Sequence, residues 1–162
     1  MGLEENKERA RALFRAIEAG RRGPLAALFA PNARWVIPKS APEPFAGIHV
    51  GAEKIADMMA GSLESSFEPG SADWRVGLVV AEGDVVMAEA NLRARTPAGE
   101  SYDNQYVFVV EFDPASGCIT ELREHTDTRY AASFFEGALA EPAAGAGAAG
   151  SPPSGPNRLA DR

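Results

Sequence analysis

One alternating segment, residues 118–127, contains the clearest candidate for acid–base chemistry. Successive side chains of a strand point to opposite faces, so even and odd positions form two separate surfaces. The odd positions form a charged face typical of a solvated surface: Glu121, Arg123, His125 and Asp127. Glu124 lies on the even, drier face, where loss of hydration raises a carboxyl pKa toward the range of a general acid or base. The alternative is a glutamate at the sheet rim, held in an ion pair.

A second alternating segment, residues 101–112, predicts the wall of a small-molecule pocket. Its even positions place aromatic and aliphatic residues around a single amide: Tyr102, Asn104, Tyr106, Phe108, Val110 and Phe112. An apolar wall with few polar groups favours a small ligand, because burial provides affinity and hydrogen bonds provide orientation. We expect the last three residues to belong to the core. Asn104 and Tyr106 are the candidates for ligand contacts.

The segment 85–95 leaves the orientation of two polar residues open. Its even positions are small and apolar, whereas its odd positions include Glu89 and Asn91. The alternation alone predicts that Glu89 and Asn91 face water. Alternatively, both face a polar end of the pocket, and the apolar face from Val86 to Ala94 forms a subunit contact.

The periodicity of the whole chain predicts helices followed by long strands. Apolar residues at helical spacing predict helices at residues 3–20, 25–30 and 52–67. Residues 34–37 look extended, and a proline-rich loop follows at 38–51. A period of two predicts strands at 73–80, 85–95, 101–112 and 118–127, and a short helix at 128–136. This order is typical of an α+β domain whose curved antiparallel sheet packs against helices and encloses a cone-shaped cavity.

The composition predicts one domain and a disordered tail. The 162 residues include 16 Lys and Arg, 23 Asp and Glu, and 45% hydrophobic residues, with a net charge of −7. An acidic chain without a basic tract argues against nucleic acid as a partner. In residues 137–162, Ala, Gly and Pro occupy 17 of 26 positions, which predicts disorder after a domain at 1–136. Without an apolar signal core or membrane-length segment, we expect a cytoplasmic protein that does not contact membranes.

The sequence lacks the common motifs for metals and cofactors. His49 and His125 do not have the spacing of a metal site, and we expect surface or capping roles for both. Cys118 is the only cysteine, which excludes an internal disulfide. Neither a glycine-rich phosphate loop nor a nucleophile elbow is present in the sequence. We therefore expect a site that works without a metal or a cofactor.

Two segments of the chain resemble a known superfamily. They are Tyr102-x-Asn104-x-Tyr106-Val107-Phe108 and the run GCITELREHTDT from Gly117 to Thr128. With the order of elements over residues 5–136, they resemble the SnoaL-like branch of the nuclear transport factor 2-like superfamily. The resemblance implies a cystatin-like, cone-shaped α+β fold, usually a homodimer, with a hydrophobic pocket and no obligatory cofactor. It does not select a reaction, because the superfamily includes isomerases, cyclases, dehydratases, epoxide hydrolases and non-catalytic binders.

Compared residue by residue, the resemblance places Glu124 at a catalytic position. The catalytic Asp of limonene epoxide hydrolases and the catalytic Glu of phenazine-biosynthesis members both fall on Glu124. The Arg and second Asp of the epoxide hydrolases fall on Glu89 and Asn91, which implies that both face inward. The water-positioning Tyr and Asn fall on Trp35 and Ile37. An acid thus stands where the epoxide hydrolases carry the cation that polarises the epoxide.

Three functional hypotheses follow. The first is a cofactor-independent isomerase, dehydratase or cyclase acting on a small hydrophobic oxygenated compound. In it Glu124 is the general acid or base, Tyr106 and Asn104 donate hydrogen bonds, and Glu89 shares a proton or holds the substrate. Asn91 contributes a further polar contact, and the apolar walls are Trp35, Ile37, Met58, Met59, Leu63 and Leu122. The second is a non-catalytic binding or dimerisation module, and the third is an epoxide hydrolase with a rearranged carboxylate pair.

Overall fold

The computed structural model describes residues 2–140, with side chains through Phe135. This part of the chain forms four helices and six strands. In chain order they are α1 (Leu3–Ala19), α2 (Arg22–Ala26), β1 (Phe29–Ile37), β2 (Gly47–Val50), α3 (Ala52–Ser66), β3 (Asp73–Glu82), β4 (Val85–Arg95), β5 (Ser101–Phe112), β6 (Ile119–Thr126) and α4 (Thr128–Ala140). None of these helices is long and apolar enough to cross a membrane.

All six strands belong to one sheet in the order β2-β1-β6-β5-β4-β3. Strands β3 to β6 form an antiparallel meander, and β1 pairs parallel to β6 and antiparallel to β2. Helices α1 and α3 contact the strands on one side, which we call the inner face; the opposite side is the outer face. The predicted α+β fold class is therefore confirmed, with one parallel strand pair added.

Helix α1 covers β3 and β4 with a single apolar stripe. Its buried apolar positions follow the three- and four-residue spacing of one helix face: Ala10, Leu13, Phe14 and Ile17. The Phe14 ring meets the Phe108 ring of β5 edge-on, with the ring centroids 5.2 Å apart. Gly20 ends the helix at φ 61°, a left-handed conformation in which glycine carries no Cβ penalty.

The predicted second helix at residues 25–30 is wrong in its extent. Helix α2 ends at Ala26, and β1 begins at Phe29 and continues through Pro31. The pairing of β1 with β6 shifts register between Phe29 and Arg34, and proline is tolerated at such an irregularity because no regular ladder hydrogen bond is lost there. The short edge strand β2 was not expected, since it lies within the predicted proline-rich loop.

The core lies between the helices and the inner face. Every even position of β4 from Val86 to Ala94 is buried there, so this face is not a subunit contact, contrary to the alternative weighed from the sequence. Its small residues allow the helices to approach the sheet closely. The outer face instead exposes aliphatic side chains, among them Met87 at 47% and Val80 at 45% exposure.

The last described element is α4. The side chain of Asp127 accepts a hydrogen bond from the backbone N–H of Tyr130 (3.0 Å) and so caps the start of this helix. The helix extends to Ala140, four residues beyond the predicted end at Glu136. The rest of the predicted tail, 141–162, lies outside the described residues.

Candidate active site

A cavity of about 110 Å³ lies against the inner face of the sheet. Helix α3 forms one side, and the loop at 38–46 and helix α4 contribute Phe45 and Phe135. Four of the predicted wall residues line it: Trp35, Ile37, Met59 and Leu63. The other two do not, because Leu122 is fully buried in the core and Met58 is a partly buried side chain packed against that core. The volume accommodates several water molecules or a small organic ligand.

Glu124 is the only carboxylate residue among the described residues that line this cavity. Strand β6 lies between β1 and β5, so Glu124 is opposite Phe108 on one side and near Trp35 on the other. The Trp35 indole Nε1–H donates a hydrogen bond of 3.1 Å to Glu124 Oε2. Burial raises the pKa of the Glu124 carboxyl to about 7, although the Trp35 hydrogen bond acts in the opposite direction. Both protonation states are therefore populated near neutral pH.

Tyr106 is the second polar group of the cavity wall. Its hydroxyl lies 2.9 Å from the hydroxyl of Tyr102, which also lines the cavity. Burial raises the pKa of the Tyr106 hydroxyl well above its ordinary value, and the nearby Tyr102 and Glu124 add to the increase. Tyr106 therefore remains a neutral hydroxyl that can donate a hydrogen bond at physiological pH.

Asn104 does not have the role that the alternation pattern predicted. It is buried on the inner face, but it does not line the cavity. Its side-chain amide donates to the Tyr102 hydroxyl (2.9 Å) and to the Asp127 carbonyl (3.3 Å). Asn104 thus supports Tyr102 from behind the cavity wall and has no direct path to a ligand.

Glu89 and Asn91 lie on the outer face, away from Glu124. Glu89 is exposed and lines a shallow groove with Arg75 and His125, whereas Asn91 donates to the Asp103 carboxylate at 2.7 Å. The alternation predicted this orientation correctly, and the orientation implied by the resemblance is wrong. Because the sheet separates Glu89 from Glu124, the two carboxyls cannot share a proton, and an epoxide hydrolase built on this pair is not supported.

Several cavity residues were not predicted from the sequence. Trp74 of β3 lines the cavity, and its Nε1 is buried without a hydrogen-bond partner among the described residues. The alternation of β3 places Trp74 on the same face as its apolar neighbours, and this pattern could have identified Trp74 as a cavity residue. Phe45 and Phe135 had no such signal, because a loop and a terminal helix reach the cavity only through tertiary packing.

Metal-binding groups do not come together in the described part of the chain. No cluster of three or more His, Cys, Asp or Glu side chains occurs there. His49 is buried, and its Nε2 lies 2.7 Å from the Phe45 carbonyl oxygen, whereas His125 is exposed. No Lys, Arg or His occurs among the described residues that line the cavity. The polar chemistry of this cavity therefore depends on Glu124, the tyrosines and neutral donors.

Fold and cavity together define a class of small α+β proteins in which a helix-backed sheet holds an apolar cavity with one acidic group. The chain belongs to the SnoaL-like domain family, whose domain matches residues 10–122. This confirms the SnoaL-like resemblance, although the match ends before Glu124. Comparison with curated proteins finds no match to this sequence.

Several solved structures share this fold. Bal32a, from a soil-derived mobile gene cassette, is 28% identical, with a TM-score of 0.68 over 82% of this chain and 97% of that chain. A candidate SnoaL-like polyketide cyclase from Jannaschia sp. CCS1 is 21% identical, with a TM-score of 0.68 over 86% and 95% of the two chains. A candidate isomerase from Bacillus subtilis is 20% identical, with a TM-score of 0.70 over 85% and 97%. The last two similarities establish the fold.

Proposed function

We propose that this protein is a cofactor-independent acid–base enzyme of the isomerase, dehydratase or cyclase type. Its substrate is a small, largely apolar, oxygenated compound that binds in the cavity. The observation that carries this proposal is Glu124, a single carboxyl in an apolar cavity with its pKa raised by burial to about 7. A carboxyl of this kind accepts and returns protons efficiently at neutral pH, because its pKa is close to the pH of the solution.

In this proposal each polar group of the cavity has a separate role. The Trp35 N–H holds Oε2 of Glu124, which leaves Oε1 without a hydrogen bond from any described residue. As a base, Glu124 takes a proton from a C–H or O–H bond of the substrate, and the bonding electrons move toward a substrate oxygen. Tyr106 donates a hydrogen bond where that negative charge develops. The protonated Glu124 then returns the proton at another position or to a leaving group.

The charge of the cavity favours a neutral substrate. Its described walls contain no cation, and the ionised form of Glu124 repels a carboxylate ligand. The similar structures named as a candidate polyketide cyclase and a candidate isomerase support an activity of this general class. They do not select one reaction among isomerisation, dehydration and cyclisation.

The pKa of Glu124 is the first test of the proposal. Carbon NMR of labelled side-chain carboxyls gives the value, and Glu124→Gln assigns the signal. We expect a pKa near 7. A pKa at or below 4.5, the ordinary Glu value, would contradict the proposal, because the carboxyl would then be solvated or ion-paired.

Proton transfer itself is tested by hydrogen–deuterium exchange at the α-carbon of small neutral ketones in D₂O. We expect the protein to accelerate exchange, and Glu124→Gln to abolish the acceleration. Glu89→Gln is the matched control, since it neutralises a carboxyl on the outer face of the same sheet. Equal exchange with Glu124→Gln and unchanged protein would assign the activity to another group.

We further propose that the chain forms a homodimer, the state that the resemblance implies, and that the outer face of the sheet is the contact between the two copies. The strand registers place aliphatic residues in one row that crosses the sheet and is interrupted only by Arg123: Val80, Met87, Val109, Val36 and Ile48. Three residues of this row are exposed, Ile48, Val80 and Met87, and exposed aliphatic surface favours association. Light scattering should report a dimer for the unchanged protein and a monomer for Met87→Lys. A monomer at micromolar concentration would exclude this interface.

A further inference from the structure

The orientation of the Asn104 side chain is determined by its neighbours. Its Oδ1 accepts a hydrogen bond from the Gln105 backbone N–H (2.8 Å), so Oδ1 is the oxygen end of the amide. The Nδ2 end therefore points to the Tyr102 hydroxyl and to the Asp127 carbonyl oxygen. Because an amide NH₂ has no acceptor lone pair, Asn104 can only donate to Tyr102.

The Tyr102 proton then has one acceptor. Tyr102 is 2% exposed, and its hydroxyl contacts only Asn104 Nδ2 and the Tyr106 oxygen among the described residues. If Tyr106 donated to Tyr102, the Tyr102 proton would have no acceptor among the described residues, which is unfavourable for a group with so little exposure. If Tyr102 donates to Tyr106, both contacts are satisfied. Asn104, Tyr102 and Tyr106 therefore form a row of hydrogen bonds with one preferred direction, in which Asn104 donates to Tyr102 and Tyr102 donates to Tyr106.

The direction of this row determines which group Tyr106 offers to the cavity. In this direction the Tyr106 oxygen accepts from the Tyr102 hydroxyl, 2.9 Å away, and Tyr106 keeps its own proton to donate. A hydroxyl that already accepts a hydrogen bond is also a stronger donor, because successive hydrogen bonds polarise one another. The Thr126 hydroxyl also lies at the cavity wall beside Tyr106, and it gives its own proton to the Gln105 carbonyl oxygen. A ligand oxygen therefore competes with Thr126 Oγ1 for the Tyr106 proton.

We propose that Asn104 and Tyr102 are positioning residues that direct the Tyr106 proton into the cavity, where it selects a neutral ligand through a carbonyl oxygen. Neither Asn104 nor Tyr102 needs to take part in proton transfer; both act through Tyr106. The inference rests on the proposed function for the identity of the site. It extends that function by assigning the ligand class: a carbonyl compound whose oxygen lies at Tyr106 and whose transferable proton lies toward Glu124.

The test uses acetophenone labelled with ¹³C at the carbonyl as a probe that cannot itself donate a hydrogen bond. Infrared spectroscopy of the bound probe reports the hydrogen bond, since donation to the carbonyl oxygen lowers its stretching frequency. We expect a lower frequency with the unchanged protein than with Tyr106→Phe. We also expect Tyr106→Phe to bind the probe about twofold to tenfold more weakly. No binding to the unchanged protein, or identical frequencies, would overturn the assignment of a carbonyl ligand.

Tyr102→Phe distinguishes the two possible directions of the row. In the proposed direction the substitution removes a donor to Tyr106, so the frequency shift of bound acetophenone decreases and affinity falls. In the opposite direction it would free a proton previously held by Tyr102, and the shift and affinity would increase. A decrease supports the proposal; an unchanged or larger shift overturns it.

Asn104→Leu tests the origin of the direction. This nearly isosteric change removes the amide donor, so Tyr102 and Tyr106 can exchange donor and acceptor roles and the shift should become smaller. An unchanged shift in folded Asn104→Leu would overturn the role of Asn104; if the variant does not fold, Tyr102→Phe decides. The probe reports binding without turnover. Suppose that bound acetophenone shows the frequency shift but that Glu124→Gln leaves proton exchange unchanged. This result would contradict the proposed enzyme and would leave the row of hydrogen bonds supported.

Discussion

The two faces of strand β6 place two glutamate side chains in opposite environments. On the outer face, Glu121 lies 2.9 Å from the Arg34 guanidinium and also pairs with Arg123. On the inner face, Glu124 has no cationic partner among the described cavity residues and receives one hydrogen bond from Trp35. The comparison shows that a glutamate acquires acid–base properties from the neighbours that remove its water, since the two residues share one short strand.

The largest expected difference between the faces of the sheet is in activity. Glu124→Gln should reduce ketone hydrogen–deuterium exchange by about 10²–10⁴-fold, the usual contribution of a general base, whereas Glu121→Gln should leave the rate almost unchanged. Initial exchange rates measured by NMR check this prediction. Equal losses for both variants would indicate that the charge of the strand, rather than the buried carboxyl, governs the rate.

Truncation of a leucine should also distinguish buried from exposed positions. Leu122→Ala creates a cavity at a fully buried position of β6 and should lower the free energy of unfolding by about 2–5 kcal/mol. Leu78→Ala, at 60% exposure in β3, should change it by no more than about 0.5 kcal/mol. Urea denaturation measures both values. Similar losses at the two positions would mean that Leu78 is covered in solution.

The pH dependence of stability should follow the raised pKa of Glu124. The folded value of about 7 lies above the ordinary 4.5, so between these values the folded state holds a proton that the unfolded state has released. The contribution of Glu124 to stability is therefore most favourable below pH 4.5 and decreases by up to about 3 kcal/mol as pH rises to 7. Urea titrations at pH 5 and 8 should show Glu124→Gln gaining stability relative to the unchanged protein at the higher pH. A constant difference between the two proteins would contradict a raised pKa.

The smallest expected effect comes from the one hydrogen bond that Glu124 receives. Trp35→Phe removes a donor that stabilises the carboxylate, so the pKa of Glu124 should rise further, by about one unit. Carboxyl carbon NMR measures the change, with the Glu121 signal as an internal reference. An unchanged pKa would mean that water or another donor replaces the indole.

Long alternating segments allowed much of the sheet to be predicted from the sequence. The bounds of β4 and β5 agree with the predicted 85–95 and 101–112, and Glu124 lies on the inner face as expected. The prediction failed at β1, where a strand continues through Pro31 at a register shift, and at the four-residue strand β2. A single proline or a short segment carries too little local information to identify such pairing.

The roles of site residues were predicted less well than their faces. Asn104 was correctly placed on the inner face, yet it contacts Tyr102 and not the cavity. Glu89 was placed correctly by alternation and wrongly by resemblance. A resemblance transfers a position in the chain, but the orientation of that position depends on the strand phase in this molecule.

The order of residues determined which side chains share a face, because alternation along a strand is a local property of the backbone. Tertiary structure decided which of them form a site. Trp35 and Glu124 are separated by 89 positions in sequence and are joined by a hydrogen bond only because β1 and β6 pair. The loss of hydration at Glu124 likewise depends on residues that the loop at 38–46 and helices α3 and α4 bring to the same cavity. Desolvation depends on all the residues that surround a group, and the sequence next to Glu124 contains only some of them.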